Sequence, residues 1–568
     1  MPPEVPTSNP HESASTPPVI VQYRPPLDIP ILLAGSFGEL RNNHFHAGID
    51  IKTDNRENLP VYAVAEGYVS RIKIQPRGYG KSLYIDHPDG HTSVYAHINS
   101  LEGPIGEYLK RRQYELHNFE IDEKIPAGLL PVSKGQVVAK SGNTGSSTAP
   151  HLHFEMRDTQ SEEALNPLLF GFGVNDNVKP RIDQAAIYPF KTDNIYDNPR
   201  VLGVKALGGG AYSLLEGRLV QASRPIVGIG IKAFDKMNGA DNLNGIYSLH
   251  TYNNGQLVYS FTMNAIPFDD TRCLNSHIDY KAQRENRGFM QKCFVDPGNT
   301  LPIYQNVYNN GIIDLSDGQP HEIRCEVRDI AGNQSSLVFI LQYKGQLPAP
   351  TPTLGSFTQM LAQNNANFFE NDQVSIYFPQ GVFYTDIPFL YSTRGATAQE
   401  KNVFSKIQRI HNDRTPVDDY FDIAIKPAPT LPTSLYDKAV VVCTNTSHTI
   451  ACGGTWEGSK LKGRAREFGD FYVSVDKTPP TIKGVNIFNG KNMAAGKSIV
   501  LGISDNLSGI KSYNAYIDGQ WILFEYDQKT TRLEHVFDGH IGHGAHNLRV
   551  EVSDERNNTQ TYAIKFSK

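Results

Sequence analysis

Four short segments occur twice, in the same order, along the later part of the chain. Lys179-Pro-Arg-Ile182 matches Pro479-Pro-Thr-Ile482, and Asp241-Asn-Leu-Asn-Gly-Ile246 matches Asp505-Asn-Leu-Ser-Gly-Ile510. Asn254-Gly-Gln-Leu257 matches Asp518-Gly-Gln-Trp521, and His321-Glu-Ile-Arg-Cys-Glu-Val-Arg-Asp329 matches His546-Asn-Leu-Arg-Val-Glu-Val-Ser-Asp554. A conserved order of matches requires two copies of one structural unit. The copies consist of short alternating runs separated by Gly, Asp and Asn turns, so each reads as an Ig-like β-sandwich. The first copy carries a polar insertion around residues 263–310.

A chain of 568 residues cannot share one core, and its length suggests roughly three to five domains. With 48 Gly, 36 Pro and 28 Tyr, it should be rich in strands and turns. A net charge of −5 gives no footprint for nucleic acid or a polybasic membrane contact. No apolar run approaches the roughly eighteen residues of a membrane span. Five cysteines form no Cys-x-x-Cys pair, which speaks against a thiolate zinc site. Cys273 with Cys293, or Cys443 with Cys452, could be a disulfide or a pair of buried thiols. Met1-Pro-Pro-Glu-Val-Pro6 has no basic segment followed by an apolar core, so it reads as a flexible tail from which any export signal has been removed.

The first part of the chain has hairpin signals of its own. Pro60-Val-Tyr-Ala-Val-Ala65 and Tyr68-Val-Ser-Arg-Ile-Lys-Ile74 flank Glu66-Gly67 and predict a hairpin. Ser82-Leu-Tyr-Ile-Asp-His87 and His91-Thr-Ser-Val-Tyr-Ala-His-Ile98 flank the Pro88-Asp-Gly90 turn. Gly48 is expected to allow a sharp entry into the strand that carries Asp50. His87 and His91, at a turn, are expected to be surface histidines. The charged 101–131 segment contains a short helical pattern around Gly106–Gln113 and should wall a groove. Leu347-Pro-Ala-Pro-Thr-Pro-Thr353 predicts a stiff linker, and residues 355–475 a third β-rich unit around Val374-Ser-Ile-Tyr-Phe378 and Phe471-Tyr-Val-Ser-Val475.

Within residues 42–158 lies one set of groups suited to hydrolysis. His151 and His153 are two apart on an extended segment and share a face. His46 and Asp50 are four apart, and His97 is expected to share a strand face with Tyr95. Two imidazoles and a carboxylate would leave a zinc ion positive enough to acidify water. The two remaining histidines could then take a proton and donate to a developing oxyanion.

His46-Ala-Gly-Ile-Asp50, Tyr95-Ala-His97 and His151-Leu-His153, with Gly78-Tyr-Gly80 and Ser141-Gly-Asn-Thr-Gly145, resemble in order and kind the lysostaphin-type, LytM-like zinc endopeptidases. The resemblance covers about residues 30–170. It implies the duplicated-hybrid-motif fold and one Zn2+ held by His46, Asp50 and His153. It also implies that His97 and His151 form the catalytic pair around a metal-activated water. His44, two residues before His46, is not expected to be a ligand.

The expected fold is therefore all-β: an antiparallel peptidase domain at 26–172 after a disordered tail at 1–25, then an Ig-like sandwich at 173–345. A β-rich unit of unassigned fold at 346–477 and a C-terminal Ig-like sandwich at 478–568 would follow. The expected function is hydrolysis of peptide cross-links in bacterial cell-wall peptidoglycan, with the peptide stems as partner and an exported, periplasmic or envelope-associated location. Two alternatives are a non-catalytic regulator of another cell-wall hydrolase and an adhesive or structural β-protein.

Overall fold

The computed structural model describes residues 21–346 and 354–568. Of the tail expected at residues 1–25, residues 1–20 lie outside the described residues, as does the Pro-rich stretch 347–353. Strands make up 44% of the molecule and helices 8%, which bears out the all-β expectation. Among the described residues, no helix is long and apolar enough to cross a membrane.

The first unit is built on an antiparallel sheet in the order Leu33–Gly35, Ile49–Lys52, His151–Asp158, His91–Ala96, Lys81–Asp86, Gly67–Ile74, Ile121–Lys124. A small second sheet contains Pro60–Tyr62, Val137–Lys140 and Ser100–Leu101. Alternation fixes the faces of the His151–Asp158 strand: Leu152, Phe154 and Met156 are fully buried in the core with Ile49, Ile51, Leu83 and Tyr95. Burying each such side chain contributes about 1.5–3 kcal/mol. That packing commits His151, His153, Glu155 and Arg157 to the opposite face.

The hairpin across Pro88-Asp-Gly90 forms as expected, with Leu83 opposite Tyr95. The one expected across Glu66-Gly67 does not form. Pro60–Tyr62 pairs with Val137–Lys140, whereas Gly67–Ile74 pairs with Lys81–Asp86 in the main sheet. The turn residues were real, but the chain changes sheets there. His87 is also buried, between Glu66 O and Ser93 Oγ, each 2.8 Å from a ring nitrogen. Its position beside a turn conceals these partners. Tyr23 is already packed, its hydroxyl 2.7 Å from Asp89 Oδ2 and its ring against Phe170 and Phe172.

The 101–131 segment forms the helix Gly103–Leu116, but the helix docks the C-terminal sandwich and does not wall the groove. Tyr114 Oη donates to Asp538 Oδ2 at 2.9 Å, Lys110 Nζ pairs with the same oxygen at 2.7 Å, and the Tyr114 ring stacks on His540.

In the first repeat copy, the Arg200–Gly208 strand pairs with Arg181–Pro189 through its first half and with Ala211–Leu214 through its second. This joins two layers into one hydrogen-bonded sheet. The second copy has two separate sheets, one built on Ser498–Ser504 and the other on Ala545–Asp554. Between the copies, two five-stranded antiparallel sheets enclose Phe378, Phe389, Phe421, Phe468 and Phe471.

The insertion at 263–310 is polar in composition, yet Leu274, Asn275, Ser276 and His277 are buried. It packs on the strand His44–Phe45: the His277 and Phe45 rings lie 5.4 Å apart, and Asn275 Nδ2 donates to Asn43 Oδ1 at 3.2 Å. All five cysteines are free and buried. The neighbour of Cys293 is Cys325, not Cys273.

Candidate metal centre

The sheet register assembles the site. His153 is directly opposite Asp50 on one neighbouring strand and opposite Ala96 on the other. Residues opposed in this way share a face, so Asp50 and His153 meet although they are far apart in sequence. His97 follows Ala96 with φ +57°. This left-handed conformation, which costs a non-glycine residue about 1–2 kcal/mol, ends the strand and turns the chain at the site.

His46 Nε2, Asp50 Oδ1 and His153 Nδ1 converge, each pair 3.0 Å apart. All three residues are buried. His151 Nε2 is 3.3 Å from the same Asp50 oxygen, and the His97 ring lies 4.9 Å from that of His151 and 5.8 Å from that of His153. All five residues singled out in the sequence therefore line one groove of about 1000 Å³. His44 lies at its edge, exposed. Gly239 and Asn242 of the first sandwich also line the groove. Lys529 of the C-terminal sandwich donates to Asn143 O and, at 3.2 Å, to Ser147 O.

Each imidazole is oriented by a partner on its other nitrogen. His46 Nδ1 donates to Ser36 O at 2.8 Å, which leaves Nε2 as its inward atom. His153 Nε2 donates to Glu155 Oε1 at 2.8 Å, which leaves Nδ1. His97 Nδ1 donates to Thr144 O at 2.8 Å, and His151 Nδ1 to Ala149 O at 2.9 Å. Glu155 is itself held by Arg157 Nε at 2.6 Å and by the Tyr79 hydroxyl. Arg41 Nη2 takes the outer Asp50 oxygen at 3.0 Å, leaving Oδ1 for the centre.

Glu155, Arg157, Tyr79, Ser36 and Arg41 are supporting residues to which the motifs in the sequence assign no role. A signal for two of them was present: His151, His153, Glu155 and Arg157 fall on alternate positions of one strand. Ser36 and Arg41 have no comparable signal, because Ser36 lies on a loop and Arg41 on the two-residue strand Leu40–Arg41, outside the period of the His151–Asp158 strand.

Two glycine contacts hold the geometry. A Cβ on Gly48 would stand 2.5 Å from Phe154 O and 3.1 Å from His153 Cε1. Gly48 therefore permits close approach of two strands and does not serve the sharp strand entry expected of it. Gly80 and Gly145 meet backbone to backbone, with a Cβ on Gly145 only 2.3 Å from Gly80 N. This brings the Tyr79 and Thr144 loops together.

Burial, followed by the neighbouring His153 and His151, pushes the His97 imidazole down to about 3. Burial also opposes charge on His153, but hydrogen bonds and charge from Asp50 and Glu155 outweigh it and raise this imidazole to about 9. Glu155, although buried, is brought down to about 2 by Arg157 and then His153. Asp50 is held well below the usual carboxylate range by the three surrounding histidines despite its burial.

Two imidazoles and one carboxylate are a donor set suited to zinc. Their 3.0 Å separations are close to the roughly 3.3 Å between tetrahedral ligands at about 2.0 Å from an ion. The partner on each second nitrogen is the usual support of a metal-ligating histidine. The residues present fit a zinc ion.

An antiparallel sheet thus carries on one face a donor set that could hold a metal ion. The model for peptidase family M23 matches residues 44–114 and 129–167. Over this N-terminal domain the chain is similar to LytM-like members of that family. An uncharacterized metalloprotease of Haemophilus influenzae is 30% identical over 123 residues, 22% of this chain and 20% of that protein. The DD-carboxypeptidase/endopeptidase Mpg of Neisseria meningitidis serogroup B is 30% identical over 112 residues, 20% of each chain. The murein hydrolase activator NlpD of Salmonella dublin is 31% identical over 169 residues, 30% of this chain and 36% of that one. The match thus spans about a fifth of the first two relatives and about a third of the third. A Zu5-like domain matches residues 358–476, the unit for which the sequence suggested no fold.

Proposed function

We propose that this chain is a zinc-dependent endopeptidase that hydrolyses peptide cross-links of bacterial cell-wall peptidoglycan, and that it works in the cell envelope. Its units would be those bounded at 26–172, 173–345, 346–477 and 478–568, with chemistry confined to the first. The reading is carried by the convergence of His46 Nε2, Asp50 Oδ1 and His153 Nδ1 at 3.0 Å in a groove that His97 and His151 also line. Zinc, when bound by these three, would polarise a scissile carbonyl and lower the pKa of water.

The chain's own groups supply the remaining steps. With its Nδ1–H given to Thr144 O, His97 carries its lone pair on Nε2. Burial keeps that ring neutral at neutral pH, as proton acceptance requires. His151, anchored through Nδ1, turns Nε2 into the groove and in its charged form would donate a hydrogen bond to the developing oxyanion, while the proton taken up by His97 would pass to the leaving amine. The peptide stems would lie along the groove between the Thr148–Pro150 and Asp54–Asn55 loops.

A regulatory reading draws on the similarity to a murein hydrolase activator. Against it stands the complete ligand set. Incubating the full chain, loaded with zinc, with purified cross-linked muropeptides separates the two. Release of monomeric stems supports the enzyme. Intact dimers beside stimulated turnover by a separate wall hydrolase would replace it with the regulator.

A further inference from the structure

Both sandwich copies gather three aspartates where the chain enters from the preceding unit. Asp176, Asp235 and Asp329 offer carboxylate oxygens within 4.8 Å of one another, and so do Asp476, Asp505 and Asp554. The ladders show that these positions correspond. Asp235 follows the strand whose Phe234 pairs with Arg181, and Asp505 follows the strand whose Ser504 pairs with Thr481. The sequence match had set Asp241 against Asp505, but the longer loop of the first copy moves that role to Asp235. Each copy also has a bridging asparagine. Asn333 Nδ2 donates to Asp329 Oδ2 at 2.7 Å and to Asp176 O at 3.3 Å. Asn558 Nδ2 donates to Asp554 Oδ2 at 2.7 Å and to Asp476 O at 2.9 Å.

The first copy carries an additional oxygen that needs a partner. Asn244 is 4% exposed, its side-chain oxygen is buried without a hydrogen-bond donor, and it lines the same cavity of about 130 Å³ as the three aspartates. Asp235, 7% exposed, likewise has one oxygen buried and unpartnered. Burial, reinforced by the charges of Asp329 and Asp176, raises its carboxyl to about 8. Such groups are costly to bury unless something compensates them. A dication with several oxygen ligands would do so. With no nitrogen or sulfur donor, the set is unsuited to zinc, and several protein oxygens in a flexible loop favour calcium over the rigid, hydrated magnesium ion.

We propose that Asp176, Asp235, Asp329 and the Asn244 side-chain oxygen form a calcium site that clamps the first sandwich to the N-terminal domain. Leu33, Ser36 and Phe37 of that domain line the same cavity. Gly245 N, next to Asn244, donates to Ser36 Oγ at 3.0 Å, and Ser36 O is the acceptor that orients His46. Calcium would therefore stiffen the loop that supports one side of the metal centre, without being part of that centre.

The test uses the full chain with zinc present throughout. Equilibrium dialysis against radioactive calcium measures binding, and thermal melting is followed in about 2 mM calcium or magnesium, above the dissociation constants typical of extracellular calcium modules. The wild type should bind calcium and melt at a higher temperature with calcium than with magnesium. Asp235→Asn and Asn244→Ala should each weaken calcium binding at least about tenfold, the loss that removal of even a ligand's outer partner brings, and remove the calcium-specific rise. Asp505→Asn should leave both in place. Absence of bound calcium in the wild type would overturn the proposal. So would unchanged binding in both Asp235→Asn and Asn244→Ala, or an equal thermal response to magnesium.

Discussion

Asp50 and His153 face each other across an antiparallel ladder, with Asp50 Oδ1 3.0 Å from His153 Nδ1. This one register brings together a carboxylate and an imidazole separated by a hundred residues of chain. A slip of one residue would turn His151, His153, Glu155 and Arg157 into the core and Leu152 and Phe154 out of it. The apolar face therefore enforces the polar site.

Glu155 holds His153 through Nε2 and is itself fully buried against Arg157. Glu155→Gln should lower zinc affinity by about 10–100-fold, as loss of a histidine's outer partner does. It should also destabilise the domain by about 3 kcal/mol, because the Arg157 charge loses its counter-ion in a buried setting. Chelator competition and denaturant unfolding measure the two effects.

Gly48→Ala places a methyl 2.5 Å from Phe154 O and should cost about 1–3 kcal/mol, with a matching loss of zinc affinity. Gly502, also within a strand, has nothing closer than 4.0 Å to its would-be Cβ. Gly502→Ala should be neutral or stabilising by up to about 1 kcal/mol. Melting the two variants side by side checks the contrast.

His277 lies between Phe45 and Phe261, and burial lowers its pKa from 6.5 to about 4. Between those values the unfolded chain binds a proton that the folded chain does not, so stability falls as pH falls. The contribution is fully present above about pH 6.5 and lost by about pH 4, a change of about 3 kcal/mol. His277→Gln should flatten this part of the stability profile; an unchanged slope would assign the acid sensitivity elsewhere.

Asp538 accepts from Tyr114 and pairs with Lys110. Asp538→Ala should loosen the C-terminal sandwich from the helix Gly103–Leu116. Faster amide exchange along that helix, with the Ile49–Lys52 strand unaffected, is the expected result.

The strand period made His151 and His153 legible as a pair, and the spacing of His46 and Asp50 added two more groups. The supporting residues were less visible. Glu155 and Arg157 extend the same period, but a carboxylate and a guanidinium on a strand ordinarily face solvent, and only the packed sheet makes them an internal pair. His87 was expected at the surface because its neighbours were turn residues; its partners, Glu66 O and Ser93 Oγ, become adjacent only through pairing. The role of the 101–131 helix depends on Asp538 and His540, hundreds of residues away. No local pattern encodes that contact.

The central claim is that the His151-Leu-His153 pair divides its work: His153 holds the metal and His151 serves the reacting groups. Zinc content of the purified variants tests it most directly, with muropeptide cleavage measured on the same samples. His151→Ala should retain about one zinc per chain while cleavage falls by about 10²–10⁴-fold, the usual share of a general acid or base; His153→Ala should lose both. The opposite pattern, with zinc lost from His151→Ala and kept by His153→Ala, would contradict the account.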